Sequence, residues 1–274
     1  MRKILLVSGD SFTDPHHHSH AYPNLHFPWK RWPELLAEKL DMDIINLGRS
    51  GSGNKYIYSS LHDFIIKHPK KYNGKIYYDK YNNYQDRIGL VISAWSQSFR
   101  DDYQLYSYGQ WKNTRVKQLG DLINWVEESL RYYVGLQTLC EHKNLPHMQC
   151  QMIPLYLDLL RGLGPTQAEI IHGGVPKDDT ESGWYTNIYQ GDKERDEQVI
   201  FERILEYDKI INHSNFVGWP IARELGGFPL NMKLFHTPEW ESDCVISETD
   251  QHPNEKGHIK IAEYLFNHYK DYIQ

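Results

Sequence analysis

The stretch ILLVSGDSFT, residues 4–13, constrains the fold of this chain more than any other. Its apolar run, Ile4, Leu5, Leu6 and Val7, stops abruptly at Ser8-Gly9-Asp10-Ser11. A short apolar run closed by small and polar residues reads as a buried strand with a sharp exit into a loop or helix start. A serine just past such a strand sits at the sheet edge, where α/β folds gather their reactive groups. Ser11 is therefore the candidate nucleophile.

The rest of the chain repeats the theme of strand followed by helix. Apolar segments at residues 42–47, 89–94 and 148–153 read as three further strands. Residues 27–40 read as a turn followed by an amphipathic helix, with Pro33 early and Trp32, Leu35, Leu36 and Leu40 facing inward. A second helix begins near Tyr56, and a long one spans residues 116–143 with Leu119, Ile123, Val126, Leu130, Val134 and Leu139 near helical spacing. Residues 192–213 form another helix, and Pro253-Asn254 opens a last one whose stripe is Ile259, Ile261, Ala262, Leu265 and Phe266. This alternation predicts a three-layer α/β/α sandwich with a mainly parallel central sheet. With 274 residues, no internal repeat and no low-complexity linker, residues 1–274 are expected to form a single domain. Residues 154–191 lose all periodicity around Trp184 and Tyr185, as expected of an irregular loop that shapes a substrate pocket.

Composition excludes several classes of function. A net charge of -6 with scattered basic residues provides no footprint for nucleic acid. No apolar segment approaches membrane-spanning length, and the run after Met1-Arg2-Lys3 is too short for a signal peptide. Three cysteines, Cys140, Cys150 and Cys244, are an odd number in no metal-like spacing, which suits buried thiols in a reducing compartment. A cytoplasmic location is expected, and a phage-encoded protein would look the same. Twenty tyrosines and eight tryptophans suit a sugar or aryl surface, or equally aromatic packing in the core.

A serine hydroxyl needs a base to take its proton, and a histidine base needs a carboxylate to fix its tautomer. Asp250-Gln251-His252-Pro253 offers both. Pro253 biases His252 toward extended backbone, and in an extended segment residues i and i+2 point the same way, so Asp250 can reach the His252 ring. His213 and His236 are alternative bases without a comparable carboxylate-His-Pro arrangement. GDSFT near one end and DQHPNEKGH near the other resemble the SGNH (GDSL-type) hydrolase family, across the span from Gly9 to His258. The resemblance implies a flavodoxin-like fold, Ser11 as nucleophile, and Asp250 and His252 as its partners on a late loop before the last helix. The common family spacing is Asp-x-x-His, which would fall on Thr249; related acyl-transfer branches use Asp-x-His, which selects Asp250.

The same resemblance implies an oxyanion hole. The segment from Asn46 to Gly51 matches the family's second block, whose glycine N–H faces the developing negative charge, so Gly51 joins the Ser11 N–H as a donor. Backbone donors of this kind each lower the barrier by about 3 kcal/mol. Asn54, in the first turn of the following helix, is either a cap or a side-chain donor to the same hole. The third block, Gly-x-Asn, is absent: Ser93-Ala94-Trp95 stands there, leaving Ser96 or Gln97 as the nearest polar substitutes. Loss of one such donor lowers turnover by about 100-fold or more. Trp95 is expected to wall an acyl pocket, Arg100 to face an anionic or sugar group, and Trp184 to contact substrate from the irregular loop. His16, His17, His18 and His20 invite a metal reading, but they lack the separated ligands and acidic or thiolate company of a closed zinc site, so no metal and no cofactor are expected.

The expected activity is cleavage of a short O-acyl ester, such as an acetyl group on a carbohydrate or other small molecule, through a Ser-His-Asp triad and an acyl-enzyme. Two rivals use the same scaffold: an O-acyltransferase that passes the acyl group to a sugar hydroxyl, and a catalytically silent binding or structural protein.

Overall fold

In a computed structural model, the protein is described for residues 1–19, 22, 27–66, 84–105, 110–114, 119–156, 191–235, 242–247 and 249–272. In chain order the elements are β1 (Ile4–Ser8), α1 (Trp32–Lys39), β2 (Asp43–Asn46), α2 (Asn54–Ile66), β3 (Ile88–Trp95), β4 (Asp101–Leu105), β5 (Gln110–Thr114) and α3 (Leu122–His142). They continue with β6 (His147–Gln151), α4 (Lys193–Tyr207), β7 (Phe216–Val217), α5 (Leu230–Phe235), β8 (Val245–Ser247), β9 (Asp250–Pro253) and α6 (Glu255–Tyr272). The five-stranded sheet runs β2-β1-β3-β6-β7 with every neighbouring pair parallel. The order of strand addition reverses at β1, which has β2 on one side and the next strand, β3, on the other. Open α/β sheets bind ligands outside the strand ends at such a switch point, and Ser11 follows β1 directly.

Both faces of the sheet are covered, which is why its central strands β1 and β3 are largely apolar, while β6 buries Gln149 and Gln151 through hydrogen bonds to Trp95, Tyr133 and neighbouring carbonyls. On one face Ile4, Leu6, Ile45, Val91 and Trp95 pack with Tyr56, Ile57, Leu61 and Phe64 of α2, Val126, Leu130, Tyr133 and Leu136 of α3, and Ile200 and Ile204 of α4. On the other face Leu5, Val7, Leu90, Ile92, Ala94, Met148 and Cys150 pack with Trp32, Leu36 and Ala37 of α1 and Ile261, Ala262 and Leu265 of α6. Period-two alternation along β1 thus splits its residues between two cores, each buried large side chain contributing about 1.5–3 kcal/mol. This is the three-layer α/β arrangement expected from the sequence. No helix among the described residues is long and apolar enough to cross a membrane.

Several elements differ from expectation. The long helix starts at Leu122, where Asp121 caps it by accepting from Asn124 N at 2.9 Å. Leu119, read as part of its apolar stripe, precedes it and is exposed. Two antiparallel pairs, β4–β5 and β8–β9, stand outside the main sheet and carry no periodicity strong enough to be read in advance. Phe216-Val217, too short a run for periodicity to mark, pairs with β6 at the edge of the main sheet. Of the irregular segment 154–191, residues 157–190 lie outside the described residues, and Trp184 with them.

Candidate active site

The turn after β1 is built by Asp10. Its carbonyl accepts from Thr13 N at 3.0 Å and Asp14 N at 2.9 Å, and its Oδ1 accepts from Phe12 N at 3.1 Å. Asp10 is fully buried, and its Oδ2 accepts from Ser96 Oγ at 2.9 Å and Arg100 Nη1 at 3.3 Å. Gly9 is required by close approach, since a Cβ there would lie 2.2 Å from Thr13 Oγ1. The chain therefore folds back at once, and Ser11 is held on a braced turn at the carboxyl edge of β1.

The distant partner arrives on β9. Asp250 and His252, two residues apart in extended backbone, project together as the i, i+2 rule requires. Asp250 Oδ1 lies 2.7 Å from His252 Nδ1 and also accepts from His252 N at 3.1 Å. His252 Nε2 lies 2.8 Å from Ser11 Oγ. With the carboxylate on Nδ1, that nitrogen carries the hydrogen, so Nε2 accepts from the Ser11 hydroxyl. Burial raises the Asp250 carboxyl, but hydrogen bonding and charge from His252 together with a hydrogen bond from Ser19 outweigh it and hold the carboxyl below its ordinary value. The start of α6 secures the hairpin: Asn254 Nδ2 donates to Asp243 O at 2.7 Å and Val245 O at 2.8 Å. Thr249, at the common family position, has its hydroxyl 3.1 Å from Ser247 Oγ on the exposed side.

The histidine-rich loop covers this array. His17 is buried and stacks on His252 with ring centroids 4.0 Å apart, while Phe12 lies 5.0 Å from the same ring. His17 Nδ1 lies 3.1 Å from Ser50 Oγ, which donates to Asp14 Oδ2 at 2.7 Å. Ser19, also buried, donates its hydroxyl to Asp250 Oδ2. Beneath them His258 Nδ1 accepts from Trp32 N at 3.2 Å, and burial, then the charges of Arg31, His252 and His17, hold its proton affinity well below the ordinary histidine value. His16 and His18 are exposed, and His20 lies outside the described residues. His17, Asp250 and His252 do carry ligand-type atoms within 4.8 Å of one another. Their stacked rings send in-plane lone pairs alongside each other rather than to one point, and Asp250 Oδ1 already accepts from His252, so the cluster fits a hydrogen-bonded array better than a tetrahedral metal site.

The expected oxyanion side is placed less uniformly. Gly51 sits in the loop after β2 with φ of 77°, a left-handed conformation suited to glycine. That loop is tied to the Ser11 turn by Arg49 N donating to Gly9 O at 3.0 Å and Ser50 N to Asp14 Oδ2 at 2.8 Å. Among the described residues, neither the Ser11 nor the Gly51 backbone N–H has an acceptor. Asn54 and Ser96 do not offer donors to this space. Asn54 Nδ2 donates to Ser96 O at 3.1 Å and Ser129 Oγ at 3.0 Å, Ser96 N donates to Asn54 Oδ1 at 2.7 Å, and the Ser96 hydroxyl is given to Asp10. Both are committed to a brace between β3, α2 and α3.

Other expected contacts also turn inward. Trp95 is fully buried, with Nε1 donating to Gln149 Oε1 at 2.9 Å and its ring 4.7 Å from Tyr133, so among the described residues it packs in the core instead of facing an acyl pocket. Arg100 donates to Gln97 Oε1 at 2.9 Å and Ser52 O at 3.1 Å as well as to Asp10, and so ties loops together instead of presenting a free cation. His213 lies exposed beside Asp208, and His236 lies outside the described residues. Sequence reasoning missed Asp10, Ser19 and the contact role of His17. Asp10 had a signal in its place beside Ser11, whereas Ser19 had none.

No protein-family model and no curated protein matches the chain. The chain is similar to solved structures of the GDSL and SGNH type. With a G-D-S-L family protein from Desulfitobacterium hafniense DCB-2 it shares 14% identity at a TM-score of 0.45, over 97% of this chain and 99% of that one. With the psychrotrophic esterase EstA from Pseudoalteromonas sp. it shares 12% identity at a TM-score of 0.42, over 98% and 97%. With the acetyl xylan esterase AlAXEase it shares 13% identity at a TM-score of 0.42, over 96% and 98%.

Proposed function

We propose that this chain is an SGNH-type serine hydrolase that cleaves a short O-acyl ester through an acyl-enzyme. The observation that carries the reading is the unbroken line of hydrogen bonds from Ser11 Oγ to His252 Nε2 at 2.8 Å and from His252 Nδ1 to Asp250 at 2.7 Å. Ser11 Oγ attacks the acyl carbon while His252 Nε2 takes its proton, and Asp250 stabilises the imidazolium so formed. The Ser11 and Gly51 N–H groups receive the developing oxyanion. His252 then returns the proton to the departing alcohol, and a water, deprotonated by the same nitrogen, releases the acid. The aromatic-rich composition supports an acyl group carried on a carbohydrate.

Hydrolysis of p-nitrophenyl acetate by the protein and by its Ser11→Ala variant tests this directly. The variant is expected to lose at least about 1,000-fold in kcat. Equal rates would end the hydrolase reading. Acetate release from an acetylated sugar, measured with and without excess sugar acceptor, separates hydrolysis from acyl transfer.

A further inference from the structure

We propose that Ser19 is a positioning residue for the Ser11, His252 and Asp250 array, pinning the second carboxylate oxygen of Asp250 so that the loop bearing the nucleophile also orients the acid. The inference rests on the functional reading above for its catalytic meaning, and on geometry alone for the clamp itself.

The need for a clamp follows from the setting of β9. Its ladder partner is the three-residue strand β8, and the pair stands apart from the five-stranded sheet. With the acid only two residues before the histidine, Asp250 Oδ1 receives two donors from a single residue, His252 N and Nδ1. Both donors fall on the same oxygen, so that local arrangement provides no donor for Oδ2. Asp250 is fully buried, so an oxygen without a donor is costly there. Among the described residues, Ser19 is the donor to Oδ2.

The Ser19 hydroxyl is itself oriented. Tyr22 N donates to Ser19 Oγ at 3.0 Å, which occupies a lone pair and leaves the single hydroxyl proton for Asp250. Ser19 lies in the same loop as His17, whose ring stacks on His252 and whose Nδ1 is held through Ser50 to Asp14. Among the described residues, the charged or titratable groups around the pair are Tyr22, His17, Asp14 through Ser50, His258, and Arg31, whose guanidinium donates to His17 O at 3.1 Å. The loop leaving Ser11 grips both members of the Asp250 and His252 pair, and so joins the two ends of the chain at the reacting atoms.

The test compares the full-length protein with Ser19→Ala, which removes the donor, and Ser19→Cys, which weakens it at nearly the same volume. Two readouts need no turnover: the low-field NMR resonance of the His252 Nδ1 proton, and the titration of the Asp250 carboxyl followed by its carbon shift. In Ser19→Ala the resonance is expected to broaden or vanish and the carboxyl midpoint to move upward. Turnover of p-nitrophenyl acetate is expected to fall about 10-fold to 100-fold in kcat at unchanged KM. Ser19→Cys should fall between the two. If Ser19→Ala does not fold, Ser19→Cys carries the same comparison. A folded variant whose resonance, carboxyl titration and kcat all match the parent overturns the clamp even while the hydrolase reading stands. Lost resonance in a protein that hydrolyses no ester upholds the clamp and removes the hydrolase reading alone.

Discussion

Asp250 shows how far residue-level reasoning reaches. An extended backbone directs residues two apart to one side, so local geometry brings a carboxylate at position 250 within reach of an imidazole at position 252, and the two meet at 2.7 Å. The bond also decides which ring nitrogen carries hydrogen. Asp250→Asn would favour the tautomer with hydrogen on Nε2, which cannot accept the Ser11 proton, and should lower kcat by about 10,000-fold with little change in fold. A loss under about tenfold in p-nitrophenyl acetate turnover would show that another group holds the ring. Asn54 and Ser96 mark the limit of the same reasoning. Their donors suited an oxyanion, but each donor's target is set by what packs against it, and here they face each other, Ser129 and Asp10.

At the scale of elements, helix ends show where local signals stop. Helix α3 carries its own cap, Asp121, and its boundary is a sequence property once that residue is recognised. Helix α2 has no side chain at its cap position, Gly53. Its orphan N–H groups are met by Asp102 of β4, which accepts from Gly53 N at 3.0 Å and Tyr56 N at 2.9 Å. Burial pushes the Asp102 carboxyl above its ordinary value, and the hydrogen bonds of the helix end and the charge of Arg100 oppose that push. Asp102→Ala should cost about 2 kcal/mol in urea denaturation, since two buried N–H groups lose their partner. An unchanged midpoint would show that water caps the helix equally well. The loop holding Gly51 enters this same helix, so the cap also steadies the proposed oxyanion donor.

At the scale of the molecule, the two terminal regions are joined through buried histidine. His258 of α6 accepts from Trp32 N of α1, and burial followed by nearby positive charge depresses its proton affinity. His147 and His268 are lowered too, chiefly by burial. Between the folded-state values and the ordinary value of about 6.5, the unfolded chain binds more protons than the native protein, so stability rises with pH across that window and falls as pH drops below about 6.5. Urea midpoints at pH 7.5 and 5.5 should therefore differ, the lower pH giving the less stable protein. His258→Gln, which keeps an acceptor for Trp32 N without a titrating group, should shrink the difference. Equal midpoints in the parent protein would reject the buried-histidine account.

The sequence by itself determined the layered α/β plan, the buried first strand, the serine beyond it and the pairing of Asp250 with His252, because periodicity and i, i+2 geometry are local. Tertiary structure alone decided that Ser11 and His252 meet across the length of the chain, that Asp102 caps a helix it does not belong to, and that Ser19 reaches Asp250. Trp95 and Arg100 illustrate the reason: burial and hydrogen-bond partners depend on which surfaces packing brings together, and no spacing along the chain encodes that.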